Sequence, residues 1–236
     1  MSNPKNIVIV GAGKGIGLKT AELLSEGNNV FAISRNETDD LRALGTSFYG
    51  IDVSKDDLGV LDGLPDQIHG LIYCPGSIVL KPFNRLSEQD FLSDFQQNVM
   101  GAVRLIQKLL PAMKRANGAS VVLFSTVAVK LGMPFHASIA ASKGAVEGLA
   151  KSLAAELAIS AIRVNVIAPS LTETPLAANL LSTPEKKDAA AKRHPLQRVG
   201  TPEEMAQMAA FLVGDNSAWI TGQVIGVDGG LGSLRV

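Results

Sequence analysis

Four glycines at alternate positions, Gly11, Gly13, Gly15 and Gly17, follow the unbroken apolar run Ile7-Val8-Ile9-Val10 and precede a stretch of helical period from Leu18 to Leu24. Strand, glycine turn and helix is the order in which backbone N–H groups at a helix start can hold a phosphate. Side chains at such a turn would keep the backbone away from a ligand, and glycine removes them. The chemistry predicted is pyrophosphate binding, hence a dinucleotide, with Lys14 and Ile16 carried in the same loop. A glycine-rich loop alone also suits a tight turn; the flanking strand and helix patterns favour the ligand.

The second apolar run ends Ala32-Ile33-Ser34-Arg35-Asn36. In dinucleotide-binding sheets this end faces the adenosine ribose, where an acid accepts from a free 2′-hydroxyl and a base accommodates a 2′-phosphate. Ser34 and Arg35 stand there with no Asp or Glu, and Lys14 adds a second charge. Either cation alone would be an ordinary solvated side chain. Together they favour NADP(H) over NAD(H). Asp52, after the next short run, either bonds the adenine edge or caps a helix ahead of Ser54-Lys55-Asp56.

These groups require a scaffold that gathers strand ends. Strand-like runs recur at 7–10, 30–33, 47–51, 70–74, 121–124, 164–167 and 224–227, with helical patterns at 16–26, 88–116, 138–159 and 202–213. Strands apolar throughout, rather than alternating, are expected where helices cover both faces. The predicted fold is α/β: a Rossmann-type, doubly wound, mostly parallel seven-stranded sheet with helices on both faces. Residues 1–236 read as one dinucleotide-binding domain, and the polar segment 172–200, with Pro175, Pro184 and Pro195, reads as a mobile substrate lid.

Lys plus Arg equals Asp plus Glu at 22 each, without a clustered basic run, which argues against nucleic acid and anionic membranes as partners. Cys74 is the only cysteine, so an intrachain disulfide and a cysteine metal site are excluded and no metal is expected. No apolar run approaches the length of a membrane span, and the first residues lack a signal-peptide pattern. The expectation is a cytoplasmic protein acting on a small-molecule substrate.

From end to end the chain resembles the short-chain dehydrogenase/reductase family. The family loop Thr-Gly-x-x-x-Gly-x-Gly is matched by Gly11, Gly15 and Gly17, with Val10 where threonine is common. Asp52-Val53 matches the Asp-Val after the third strand. The Asn-Asn-Ala-Gly after the fourth is matched loosely by Tyr73-Cys74-Pro75-Gly76, which keeps only Gly76 and loses a backbone donor at Pro75.

The resemblance implies further roles. Asn98 corresponds to a helix asparagine that holds a water in a proton relay; a helix-interior side chain bonding a neighbouring carbonyl is the alternative. The family places a serine at the end of the fifth strand and a Tyr-x-x-x-Lys pair on the next helix, the two side chains one turn apart. There the lysine binds the nicotinamide ribose and lowers the tyrosine pKa for proton transfer. Lys143 is present here, but Ile139 holds the tyrosine position, and thirteen residues earlier stands Thr126, with Ser125 beside it. Ile139 cannot move a proton, and losing a positioned acid typically costs about 10²–10⁴-fold in rate.

His136 precedes Lys143 by seven residues, the spacing of the tyrosine in the family's enoyl-reductase branch. It is the candidate acid or base, with a packing role as its alternative. Pro169-Ser170 corresponds to the family's Pro-Gly turn, and Thr174 to a threonine that contacts the nicotinamide carboxamide or phosphates. The resemblance also implies a homotetramer or homodimer through the 88–116 helix and the helix that carries Lys143. Two functions follow. One is an NADP(H)-dependent oxidoreductase that moves hydride to or from a small carbonyl, alcohol or activated alkene with atypical proton transfer. The other is an NADP(H)-binding sensor or partner subunit with little turnover.

Overall fold

The computed structural model describes residues 3–235. Seven strands, β1 (Asn6–Val10), β2 (Asn29–Ser34), β3 (Ser47–Gly50), β4 (Gly70–Tyr73), β5 (Ala119–Phe124), β6 (Ile162–Pro169) and β7 (Val224–Val227), form one sheet in the order β3-β2-β1-β4-β5-β6-β7. Every neighbouring pair is parallel. The strand order reverses between β1 and β4. In a doubly wound sheet the crevice at that switch, outside the C-terminal strand ends, is where a ligand binds.

Both sheet faces are buried, as the continuous apolar runs require. Side chains alternate along a strand. Accordingly Val8 and Val10 enter one core with Leu105, Leu109, Val146 and Ala150. Ile7 and Ile9 enter the other with Ala21, Leu24, Met205 and Leu212. The first core is covered by α4 (Gly101–Arg115) and α6 (Ala137–Leu157), the second by α1 (Gly15–Ser25) and α8 (Pro202–Val213). The shorter helices are α2 (Asp39–Ala43), α3 (Glu88–Phe95), α5 (Val127–Lys130) and α7 (Pro184–Ala191).

Two stretches differ from their sequence reading. The single helix expected over 88–116 is α3 and α4 joined through a π-helical turn, Gln96–Met100. The apolar period runs on through that turn, so composition carried no sign of it. The segment expected as a polar lid contains a 3₁₀ stretch, Pro175–Leu181, and then α7. Thr174 and Thr183 cap these by accepting from Ala177 N and Lys186 N, and a proline opens each. Among the described residues no helix is long and apolar enough to cross a membrane, and no group of His, Cys, Asp and Glu could hold a metal ion.

Candidate active site

The glycine turn lies at the switch point. Gly11 and Gly15 have φ of +77° and +57°, a region costly for other residues. Gly11 N donates to Ile33 O at 2.8 Å, tying the turn to the end of β2. Gly17 allows α1 to approach the turn: a Cβ there would lie 2.2 Å from Gly11 O. Side chains at 11 and 17 would thus close the space that the turn leaves open.

A cavity of about 440 Å³ runs along the turn. Its lining includes every loop and adenosine-end residue expected from the sequence: Gly11, Gly13, Lys14, Gly15, Ile16 and Gly17 from the turn, then Ser34, Arg35, Asp52, Val53, Gly76 and Thr174. Lys14 and Arg35 are exposed and make no ion pair among the described residues. Ser34 Oγ is turned to Asn36 O at 2.6 Å. The Asp52 carboxylate accepts from Ser54 N at 3.0 Å and from Ser54 Oγ at 2.6 Å, a local turn bond rather than a helix cap. Burial pushes its pKa up, but the Ser54 bonds and the charges of Lys55 and Arg35 together hold it below the usual value.

A second cavity, of about 540 Å³, adjoins the first. Ile16, Cys74, Gly76, Thr174 and Leu176 line both. Thr126, His136, Ile139, Lys143, Pro169 and Ser170 line the second. Its remaining wall is largely apolar but carries Lys186 and Arg193, and no carboxylate contributes to it.

Lys143, on α6, is only 6% exposed. Its Nζ donates to Phe124 O at 2.9 Å, which leaves two N–H donors for another partner. Burial pushes its pKa down to about 8, against the opposing pull of Cys74 and Asp94. Ile139, one turn earlier, is buried as well.

The π-helical turn places Asn98 behind Lys143. Asn98 is buried, and its Nδ2 donates to Ser142 Oγ at 3.1 Å and to Ser77 Oγ at 3.3 Å. Its Oδ1 has no partner. A Cβ on Gly76 would lie 3.7 Å from Lys143 Nζ and 3.9 Å from Asn98 Oδ1, so a glycine keeps the space between those atoms clear. A buried acceptor without a donor costs about 1–3 kcal/mol unless a water or ligand completes it. Asn98, alone among the expected site residues, lines neither cavity.

The remaining hydroxyls differ in freedom. Ser125 Oγ is buried and donates to Glu147. Thr126 Oγ1 accepts from Ala128 N at 3.3 Å as the cap of α5 and keeps its own proton to give. Tyr73 Oη donates to Gln97 O at 2.6 Å, and burial raises its pKa above the usual value. Tyr49 Oη is 3.4 Å from Gly63 O and lines neither cavity. His136 Nδ1 is 2.7 Å from Pro134 O and must donate to it, so the neutral ring leaves Nε2 as an acceptor.

Sequence reasoning passed over one pair. Ser170 Oγ lies 2.8 Å from Nε2 of His194, whose Nδ1 is 2.9 Å from Ala190 O. His194 is 2% exposed and sits in the stretch read as a polar lid. Its only sequence signal was a histidine before Pro195.

This cleft gathers a glycine turn and a buried lysine at the C-terminal edge of a parallel sheet, the place where a doubly wound fold binds its ligand. The chain belongs to the short-chain dehydrogenase/reductase family: a family model described as enoyl-(acyl carrier protein) reductase matches residues 11–232. A 3-oxoacyl-[acyl-carrier-protein] reductase, FabG, of Thermotoga maritima is 36% identical over 242 residues, covering 96% of this chain and 97% of that protein. A short-chain type dehydrogenase/reductase from Mycobacterium ulcerans superposes with a TM-score of 0.90 at 29% identity, covering 100% of this chain and 92% of that one. ElxO with NADP bound superposes with a TM-score of 0.88 at 26% identity, covering 98% of this chain and 100% of that one.

Proposed function

We propose that this chain is an NADP(H)-dependent oxidoreductase that moves hydride to or from a small, largely apolar carbonyl compound, alcohol or activated alkene. It would do so without the tyrosine usual in its family, whose position Ile139 holds. The observation that carries the reading is the pair of adjoining cavities, with Lys143 on the wall of the second beside Gly76, which lines both. One has the shape and donors for a dinucleotide, and the other is an apolar chamber beside it. The glycine turn with an open backbone supports a pyrophosphate there. Unpaired Lys14 and Arg35 at the ribose end support a 2′-phosphate. NADP bound in ElxO, a chain of the same fold, is consistent with that choice.

A bound nicotinamide cofactor supplies or accepts the hydride. The protein's own part is to hold, orient and protonate. Lys143 directs its two free donors toward a ribose hydroxyl or a substrate oxygen. Asn98 Oδ1 and Lys143 Nζ frame a site for one water beside Gly76, through which Lys143 exchanges its proton. Thr126 offers its hydroxyl to a substrate oxygen, and His136 Nε2 offers a base on the chamber wall. The apolar lining excludes bulk water, which strengthens each of these bonds.

A second reading rests on Ile139 itself. With an alkyl side chain beside Lys143, the chain would bind NADP(H) as a sensor or as the partner subunit of a hetero-oligomer. Calorimetric titration with NADPH, NADP and NAD separates the readings when followed by an absorbance screen against ketones, quinones and enoyl compounds. Tight NADPH binding with turnover supports the oxidoreductase. Binding without turnover across the panel supports the sensor, and no binding contradicts both.

A further inference from the structure

We propose that Ser170 and His194 form the proton relay of this cleft, Ser170 meeting the substrate oxygen and His194 standing behind it as acid and base. The proposal rests on the hydride-transfer reading above and names the group that completes it. Ser170 follows Pro169 at the end of β6 and lines the same chamber as Lys143 and Ile139.

The bonding order fixes the roles. Ala190 O can only accept, so the proton of the neutral His194 ring is on Nδ1 and Nε2 is the acceptor, to which the Ser170 hydroxyl donates. Chamber, hydroxyl, imidazole nitrogen and anchored N–H therefore follow in line. That is the arrangement of a hydroxyl activated by a base that a third group orients. The ring packs against Gly229 as well: a Cβ there would lie in van der Waals contact, 3.5 Å from His194 Cδ2. With glycine at 170 the buried Nε2 would lose its only partner among the described residues.

The other hydroxyls lining or flanking the chamber meet carboxylates, carbonyls or backbone N–H groups rather than an imidazole, and Ser77 donates to Asp94. Ser125 donates to Glu147 and Tyr73 to Gln97 O. Thr126 caps α5, and no titratable group bonds it.

In the reducing direction hydride from the reduced nicotinamide forms the new C–H bond, and the carbonyl π pair moves to oxygen. That oxygen takes the Ser170 proton while Ser170 Oγ takes the Nε2 proton of the His194 imidazolium, leaving neutral imidazole. Oxidation runs the same path backward: the alcohol proton passes to Ser170, the Ser170 proton to Nε2, and hydride leaves for the oxidised nicotinamide. Reduction consumes the imidazolium, and oxidation needs the free imidazole.

Among the charged groups around His194, α7 carries Glu185, Lys186, Lys187 and Asp188, and Lys186 and Arg193 line the chamber. The stretch of His194 itself carries Arg193 and Lys192, the latter paired with Asp188 at 2.6 Å. The turn after β7 carries Asp228, whose carboxylate accepts from Gly230 N and Gly232 N at 2.9 Å. Beyond β6 stands Glu173, paired with Lys187 at 2.7 Å.

The test has two readouts on the full-length protein. The chain has three histidines, so ring proton–nitrogen correlation spectra of the unliganded protein resolve each one. His194 is expected as the Nδ1-protonated tautomer, with Ser170→Gly moving its Nε2 resonance and leaving His69 and His136 in place. With NADPH and any compound the protein turns over, Ser170→Gly lowers kcat about 10²-fold. NADPH affinity stays unchanged, Ser170→Thr restores most of the rate, and His194→Gln lowers kcat by a similar factor. Should Ser170→Gly keep the parent kcat, or should the loss of rate follow His136→Ala instead, the relay is overturned while the hydride-transfer reading stands. A parent protein that binds NADPH and reduces nothing overturns that reading and the relay with it.

Discussion

Lys143 is held at a cost that the fold accepts for the site. Burial lowers its pKa from 10.5 to about 8. Between those values the unfolded chain binds more protons than the folded one, so stability rises with pH across that window; below pH 8 the full penalty is present. Lys143→Met is therefore expected to make the unliganded protein more stable at pH 7, by about 1–3 kcal/mol once the lost bond to Phe124 O is counted. The gain should shrink as pH rises from 8 toward 10.5. Urea titrations at several pH values check this, and a pH-independent difference would contradict it. Arg35 carries the cofactor preference at the same scale. Arg35→Asp should weaken NADP(H) binding by about 10–100-fold, the loss of one or two charge-assisted bonds, and leave NAD(H) nearly unaffected. Calorimetry decides, and equal losses for both cofactors would remove the 2′-phosphate argument.

At the scale of elements, the glycine turn and the first helix make one unit. Gly17→Ala would place a Cβ 2.2 Å from Gly11 O, backbone against backbone, so α1 must move away from β1. The expected result is loss of dinucleotide binding together with a lowered melting temperature; a variant that binds as before would show that the turn is not packed as described. Helix α8 is set by the Thr201–Glu204 capping box, and Thr201→Ala should cost about 1 kcal/mol in a urea titration.

The strands and long helices were legible in the sequence because most buried strands are short, mainly apolar runs and each long helix keeps its period. Pro202–Val213 has the bounds that the sequence suggested. The π-helical turn was not legible, because its backbone change leaves the spacing of apolar side chains nearly intact. Helix α7 was hidden by Pro184 and by a polar composition without an apolar stripe. The loop and adenosine-end residues were readable as a local pattern. Ser170 and His194 were not, because 24 residues separate them and only the fold brings them together.

For the whole molecule, the arrangement that matters is division of labour across the sheet's C-terminal edge. One cavity is lined by the glycine turn with Lys14 and Arg35, and its neighbour by a largely apolar wall that carries Lys143, Lys186 and Arg193. Several large apolar side chains lie outside both cores, including Ile159 at 96% and Trp219 at 100% exposure. Their exposure fits subunit contacts, and sedimentation of the purified protein is expected to give a dimer or tetramer rather than a 24.7 kDa monomer. A monomer at micromolar concentration would contradict this.

The central claim is that hydride moves in this cleft although no tyrosine stands beside Lys143. The most direct measurement is isotopic: the protein is loaded with NADPH carrying deuterium at the transferable position of the nicotinamide and mixed with a panel of carbonyl and enoyl compounds, and products are read by mass spectrometry. The account predicts one deuterium at the reduced carbon of at least one compound, in the parent protein and equally in Tyr49→Phe. Bound NADPH with no deuterium in any product would contradict it.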